Sequence, residues 1–160
     1  MKKEMEDALN KQINEELYSA YIYMAMAADF EAKNLKGYAN WMNVQVKEEL
    51  THAMKLYNFV NERGGKVALD AIKKPAASWK TSLEAFEEAY KHECFISDCI
   101  HGLVDLANKH KDHPTASMLQ WFVDEQVEEE ANTDEIVQRI KQMKNFPGAE
   151  YFAWELHLWN

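Results

Sequence analysis

Residues 38–59, YANWMNVQVKEELTHAMKLYNF, contain an apolar stripe that polar side chains interrupt at its centre. Alternating steps of four and three residues connect Tyr38, Met42, Gln45, Glu49, His52, Leu56 and Phe59. This spacing places all of these residues on one face of an α-helix. Burying a carboxylate on such a face costs free energy unless a partner compensates its charge. The Glu49-x-x-His52 pair therefore predicts a metal site inside a helical core.

Three further stretches, residues 9–30, 86–107 and 119–140, show the same alternation and the same interruption near the middle. The interrupting acidic and amide residues are Glu16, Glu93, Gln126 and Glu129. Each stretch is long enough for many helical turns and has one apolar face. The sequence therefore predicts four long amphipathic helices that pack together as a bundle.

Turn and capping residues give the expected helix boundaries. For the first half of the chain we expect a helix over Glu4–Lys33, a tight turn over Asn34–Gly37, and a second helix that ends near Arg63 before Gly64-Gly65. For the second half we expect a Thr81/Glu84 capping box at the start of the third helix, a turn over Lys111–Pro114, and a short fifth helix over Ala149–Trp159.

The long connection over residues 64–80 predicts the topology. A helix of about 28 residues is about 42 Å long. A loop of about 17 residues can reach about 56 Å, so it can cross the whole bundle. The second and third helices would then be parallel, whereas the short first and third connections make antiparallel pairs. We expect an all-α chain with one such crossover, forming a single domain over residues 1–160.

Four carboxylates are expected at one level of this bundle, because Glu16, Glu49, Glu93 and Glu129 each lie near the middle of a helix. Their four negative charges balance two divalent cations. Carboxylate oxygens together with the imidazole of His52 suit iron, manganese or zinc. The alternative is a metal-free core with strongly raised carboxyl pKa values. The convergence of all four helices favours the metal site.

A second acidic layer lies beside the first. Glu48, Glu125 and Glu128 are each displaced by one residue, about 100° around the helix, from a residue of the stripe. They could bind a further ion, although acidic helix faces are usually only solvated. Tyr23 lies two turns after Glu16 on its stripe, where a phenol could assist a metal centre or simply pack in the core.

The composition excludes several function classes. The chain has 160 residues and a net charge of -9, which argues against nucleic acid as a partner. It contains no apolar run long enough to span a membrane. The N-terminal residues lack the apolar core of a signal peptide, so we expect a cytoplasmic protein.

Four segments carry a resemblance to a known family: residues 14–19 (NEELYS), 48–52 (EELTH), 90–93 (YKHE) and 119–130 (LQWFVDEQVEEE). In order and spacing the chain resembles bacterial and archaeal non-haem ferritins from about residue 4 to its end. The resemblance implies a ferritin-like four-helix bundle with a short fifth helix. It also implies an iron-storage cage of 24 subunits that oxidises Fe(II) with dioxygen or peroxide.

The family's motifs can be carried onto this chain residue by residue. The resemblance implies a first iron on Glu16, Glu49 and His52. Glu49 would bridge to a second iron held by Glu93 and Glu129, with Gln126 adjacent. The residues that resemble the family's third iron site are Glu48, Glu125 and Glu128, and Tyr23 matches its tyrosine beside the centre.

Departures from related families narrow the expectation. Bacterioferritins have a second Glu-x-x-His pair on the fourth helix, where this chain has Gln126 and Glu129. They also hold haem with a methionine where this chain has Leu50, so we expect no haem. Two other functions stay open from the sequence: a soluble di-iron oxidase or peroxidase without storage, and a purely structural helical bundle.

Overall fold

A computed structural model describes residues 1–143, and these residues form four α-helices without a strand. The helices are α1 (Lys3–Ala32), α2 (Lys36–Glu62), α3 (Ser82–Lys109) and α4 (His113–Met143). The all-α bundle predicted from the four stripes is therefore confirmed. The short helix expected over residues 149–159 lies outside the described residues, so it stays a prediction, as does the single domain over residues 1–160.

The turn between α1 and α2 is shorter than the sequence suggested. Asn34 has φ 61°, a left-handed conformation that asparagine tolerates. The backbone N–H of Leu35 donates to the carbonyl of Phe30 at 2.9 Å, which closes the end of α1. One left-handed residue reverses the chain, so α2 begins at once at Lys36. Gly37, expected in the turn, is instead a buried helical residue.

The other helix boundaries follow their predicted signals closely. Gly64 has φ 69° and ends α2 as expected. Thr81 caps α3 by accepting a hydrogen bond from the backbone N–H of Glu84 at 3.1 Å. The return bond of the expected capping box differs, because the Glu84 carboxylate accepts from the N–H of Lys80 at 3.0 Å. Pro114 is the second residue of α4.

The crossover between α2 and α3 has no helix or strand and runs along α1. Near one end of α1, the Asn10 amide donates to the carbonyl of Lys66 and accepts from the N–H of Ala68, each at 2.9 Å. Near the other end, the Asp29 carboxylate accepts from the N–H of Trp79 at 3.2 Å. The crossover therefore spans most of α1, and the predicted parallel arrangement of α2 and α3 is confirmed.

Two apolar clusters fill the bundle. One is centred on the stacked rings of Phe30 and Phe86, and the other contains Leu9, Leu56 and Phe122. Between them lies a layer of buried polar residues, which is the predicted metal level. Each helix turns a polar face outward, and none of the described helices is long and apolar enough to cross a membrane.

Replacing Asn10 with alanine should loosen the crossover. The two hydrogen bonds of the Asn10 amide are removed, and each contributes about 1 kcal/mol. We expect faster tryptic cleavage after Lys66 and Lys73, with the four helices retained by circular dichroism. Asn61→Ala is the matched control, because the Asn61 amide donates only to a carbonyl of its own helix. Equal cleavage rates in the two variants would contradict this account.

Candidate metal centre

Six side chains predicted from the sequence meet in one buried layer, with contributions from all four helices. All are 3 % exposed or less: Glu16, Glu49, His52, Glu93, Gln126 and Glu129. They converge because each lies on the inward stripe near the middle of its helix, and the helices are aligned over most of their length. The structure thus brings together every residue assigned from the sequence to the paired site.

Two ligand groups overlap at Glu49. The first consists of Glu16, Glu49 and His52, and the second of Glu49, Glu93 and Glu129. Within each group the candidate ligand atoms lie within 4.8 Å of one another. Glu49 therefore lies between two places where a cation could bind. This geometry agrees with the bridging role expected for Glu49, although the role itself stays a prediction.

Four buried atoms of this layer have no hydrogen-bond partner among the described residues. They are Oε2 of Glu16, Oε1 of Glu49, Nδ1 of His52 and Oε2 of Glu129. A buried polar atom without a partner destabilises the fold. All four atoms belong to predicted ligands, and oxygen and imidazole nitrogen are suitable donors for iron. The donor set therefore fits divalent cations.

The carboxyl groups resist ionisation when no cation is present. Burial raises the pKa of Glu16 to about 7. Burial, with the charge of Glu93 in addition, raises the pKa of Glu129 to about 9. For Glu49, burial and then the charges of Glu93 and Glu16 raise the pKa well above its ordinary value. The pKa of Glu93 is also raised by burial. Metal-free, the layer holds protons in place of metal charge.

His52 is a neutral imidazole at physiological pH, because burial lowers its pKa to about 4. Its Nδ1 lies 3.4 Å from Oε2 of Glu49 and 3.9 Å from Oε2 of Glu16. On the other side of the ring, Nε2 lies 3.7 Å from Oε1 of Glu125. A metal ligand must offer an unprotonated nitrogen, and neutral His52 can offer one to the first group.

Hydrogen-bond partners hold the ligands from outside the two groups. The amide of Gln12 donates to Oε1 of Glu16 at 2.9 Å, and the hydroxyl of Tyr23 donates to Oε1 of Glu93. Burial raises the pKa of Tyr23 well above its ordinary value, so the phenol keeps its proton. Tyr23 was among the residues singled out from the sequence, whereas Gln12 was missed. Its spacing four residues before Glu16 was an available signal.

Two further residues that support the ligand Gln126 were also missed: Ser97 on α3 and Glu130 on α4. Gln126 donates through Nε2 to Glu93 and to the hydroxyl of Ser97, at 3.2 and 3.3 Å. Ser97 in turn donates to Oε1 of Glu130 at 2.5 Å. No sequence pattern singled out Ser97, because a serine four residues after Glu93 is as compatible with simple packing as with a role at the centre. The network becomes visible only when α3 and α4 are placed side by side.

The three residues assigned to a further site are less tightly gathered. Glu125 forms a ligand group with His52 and Glu129, whose ligand atoms again lie within 4.8 Å. Burial raises the pKa of Glu48 and of Glu125, and the charge of Glu128 raises both further. The three carboxylates are therefore near one another, although Glu48 and Glu128 belong to no such group among the described residues.

A surface pocket of about 240 Å³ leads to this acidic layer between α2 and α4. Its wall includes the carboxylates of Glu48 and Glu125 and the imidazole of His52. The ring of Trp121 lies edge-on to His52 at a centroid distance of 5.4 Å and also borders the pocket. The pocket is also lined by Val44, Lys47 and Thr51, so two carboxylates and the His52 imidazole are its groups nearest to the buried ligand layer.

Comparison with known proteins finds matches along most of the chain. The family model for the ferritin-like domain matches residues 6–143. The bacterial non-heme ferritin of Staphylococcus saprophyticus is 45% identical over 131 residues, covering 82% of this chain and 78% of that protein. The bacterial non-heme ferritin of Campylobacter jejuni is 38% identical over 153 residues, covering 96% and 92%. An open pore ferritin from the archaeon Archaeoglobus fulgidus superimposes with a TM-score of 0.96 at 46% identity, covering 99% and 97%.

These matches confirm the resemblance inferred from the four sequence segments. The region that the ferritin-like model covers contains all ten residues assigned to metal binding or catalysis from the sequence. The match therefore extends over the whole buried layer rather than one motif.

The raised carboxyl pKa values predict how stability depends on pH. A carboxyl whose folded pKa exceeds its unfolded value stabilises the folded state at low pH and loses this contribution as pH rises through the folded pKa. The loss begins near the ordinary pKa of 4.5 and is complete at the folded pKa, which is about 7 for Glu16 and about 9 for Glu129. The free energy of unfolding of chelator-treated protein should therefore still fall between about pH 7 and pH 9, because Glu129 loses its stabilising contribution over that range. Thermal unfolding across that range measures this slope.

Saturating Co(II) or Zn(II) should remove much of the slope, because a bound cation replaces the protons. Glu129→Gln should make the slope of the metal-free protein shallower, since that side chain no longer titrates. His52 contributes little to this slope, because above pH 7 its imidazole is neutral in the folded state, where its pKa is about 4, and mostly neutral in the unfolded state, where its ordinary pKa is 6.5. Stability that stays constant or increases between these pH values would contradict the proposed burial of protonated carboxyls.

Proposed function

This chain belongs to the ferritin family and is an iron-storage ferritin, and we propose that it oxidises Fe(II) at the buried centre between its four helices. Iron is the substrate of this reaction and the material that is stored. The observation that supports the site most directly is the set of four unpartnered ligand atoms on Glu16, Glu49, His52 and Glu129. Their shared level in the bundle gives Fe(II) a ready set of oxygen and nitrogen donors.

We assign two Fe(II) ions to the centre. The two ligand groups that share Glu49 support this number, and four carboxylates balance the charge of two divalent ions. Each Fe(II) gives up one electron, and one molecule of dioxygen or peroxide accepts the pair. Holding both ions at a fixed separation allows a single oxidant to reach both of them. The product is ferric iron, which would move on to storage.

The chain's own residues would manage the protons of this reaction. Fe(II) requires ionised carboxylates, so its binding displaces protons from groups whose pKa is raised, such as Glu129. Tyr23 keeps its proton and donates it in a hydrogen bond to Glu93, which limits the orientations of that carboxylate. The apolar clusters on either side keep bulk water away from the centre.

We assign the third iron site to Glu48, Glu125 and Glu128, on the side of the centre that faces the pocket. Support comes from the charge of Glu128, which raises the pKa values of both Glu48 and Glu125, and from the charge of Glu48, which raises the pKa of Glu125. Glu125 also lies 3.7 Å from His52, so an ion leaving the centre would meet this carboxylate first. The site would pass ferric iron outward along an acidic path.

We further propose a homo-oligomeric cage of 24 subunits in the cytoplasm, without bound haem. The two bacterial relatives named above are non-heme ferritins. Leu50, at the position where bacterioferritins have the haem-binding methionine, has no group that could ligate haem iron. Leu50 is 43% exposed and Met54, one turn later on α2, is 49% exposed. Together they give this helix an apolar patch available for contact with another subunit.

Removal of the shared ligand should abolish rapid oxidation. When Fe(II) is added without oxygen and then mixed with oxygen, Glu49→Gln should slow the first oxidation by about a hundredfold, since even partners of metal ligands contribute 10–100-fold. His52→Ala should act in the same direction. Stopped-flow absorbance of ferric iron measures both rates. Glu62→Gln, an exposed carboxylate at the end of the same helix, is the control.

The same assay separates the third site from the paired site. Glu128→Gln should leave the first oxidation unchanged and slow later additions of Fe(II), because it affects only the outward path. An unaltered first oxidation in Glu49→Gln would show that iron is oxidised elsewhere. If Glu128→Gln oxidises iron at the wild-type rate after every addition of Fe(II), the third-site assignment is wrong and the paired-site assignment is unaffected.

The assembled particle can be weighed directly. Native mass spectrometry of the full chain should give a mass near 24 times 18.7 kDa. Loading with Fe(II) in air should then increase the mass and the electron density of the particle's interior. A particle no larger than a dimer would contradict the cage, whatever the activity of the paired site.

A further inference from the structure

Gln126 is the one amide among the six residues of the buried layer, beside four carboxyl groups and one imidazole. An amide can meet a cation only through its oxygen, because its nitrogen carries two protons. Which of its two ends faces the ligands therefore decides whether Gln126 can assist metal binding. The contacts of Gln126 with α3 determine this orientation.

Three acceptors surround the nitrogen of Gln126. Nε2 lies 3.2 Å from the carbonyl oxygen of Glu93, 3.2 Å from its carboxylate, and 3.3 Å from the hydroxyl oxygen of Ser97. The Glu93 carboxylate is a predicted metal ligand, so a bound cation would compete with the amide for it. The carbonyl and the Ser97 hydroxyl then remain to hold the amide in place.

The carbonyl of Glu93 can only accept, so it favours the nitrogen end of the amide. The Ser97 hydroxyl can donate or accept, so by itself it would tolerate either end. Glu130 removes this ambiguity. The Ser97 hydroxyl donates its single proton to Oε1 of Glu130 at 2.5 Å, a distance typical of a hydrogen bond to a carboxylate. Because the proton is committed there, the Ser97 oxygen can only accept from the side of Gln126. The amide nitrogen must face Ser97, and the amide oxygen must face elsewhere.

We propose that Ser97 and Glu130 are positioning residues that fix the Gln126 amide with its nitrogen toward α3, so that its oxygen is the atom offered to a cation bound by Glu93 and Glu129. Ser97 is 5% exposed and Gln126 is 3% exposed, so water cannot easily replace either partner. This inference rests on the proposed metal centre, and it assigns a role to two residues outside the ligand set.

Removing the Ser97 hydroxyl tests this role. Co(II) is the probe, because its visible absorption reports the ligands around it and it needs no oxygen. In the assembled metal-free protein, Ser97→Ala should weaken the binding of the ion in the Glu49–Glu93–Glu129 group by about fivefold to tenfold, the effect of one lost hydrogen bond. Its absorption spectrum should change as well. Binding in the Glu16–Glu49–His52 group should be unaffected.

Two variants distinguish positioning from packing and from charge. Ser97→Thr keeps the hydroxyl and should bind Co(II) like the wild type; if it binds as weakly as Ser97→Ala, the effect is packing and the proposal is wrong. Glu130→Gln should resemble Ser97→Ala, whereas Glu135→Gln, an exposed acid of the same helix, should have no effect. The charge of Glu130 also acts on Glu93 directly, so Glu130→Gln is measured in the Gln126→Ala background as well. An equal loss of Co(II) affinity with and without Gln126 would overturn the proposal, even if Ser97→Ala does not fold.

A double-mutant cycle gives the strictest test. In a Gln126→Ala background, Ser97→Ala should cause no further loss of Co(II) affinity, because the residue through which it acts is gone. Additive losses would overturn the proposal. If wild-type protein binds one Co(II) or none in this layer, the paired centre itself is wrong. If it binds two and Ser97→Ala binds them equally well, only the positioning role fails.

Discussion

The buried layer of four carboxylates between two apolar clusters is the constraint on which the rest of this structure depends. Like charges in a core repel one another and lack the stabilisation that water would provide. The metal-free protein meets this cost with protons, as the raised pKa values of Glu49 and Glu129 indicate. Replacing those protons with divalent cations relieves both the repulsion and the unsatisfied ligand atoms. Affinity for metal and the raised carboxyl pKa values of the metal-free protein thus have one physical origin.

The bundle must be stable enough elsewhere to hold such a layer at its centre. The aromatic cluster around Phe30, Tyr38 and Phe86, with ring centroids 5.3 to 5.7 Å apart, occupies one side. An aliphatic cluster occupies the other side. The crossover joins the two ends of the molecule through contacts with α1, at Asn10 and at Asp29. Because the crossover is tied to α1 near both of these ends, α2 and α3 can run in parallel and present Glu49 and Glu93 at one level.

Much of this arrangement could be predicted from the sequence, because the helices and the buried layer follow from the periodic spacing of apolar and polar residues. Alternating steps of four and three residues between apolar positions identify the buried face of a helix without knowledge of the helix that packs against it. Because polar residues interrupt all four stripes near the middle, one shared polar layer could be predicted as well. The turn after α1 was placed less well, because Gly37 suggested a longer loop than Asn34 requires. The partners Gln12, Ser97 and Glu130 were not predicted. Their roles depend on which neighbouring helix each side chain faces, and a pattern within one helix does not contain that information.

Glutamine at position 126 keeps the charge of the centre matched to two divalent metals, in a chain whose net charge is -9. A fifth carboxylate at position 126 would leave the layer with more negative charge than two divalent ions neutralise. A neutral amide avoids this excess, but an amide has one end that repels cations. Glu130 supplies the missing control from a half-buried position, because it accepts the proton of Ser97, whose oxygen accepts in turn from Gln126. Orientation of a neutral ligand is thus set by an acid that need not touch the metal.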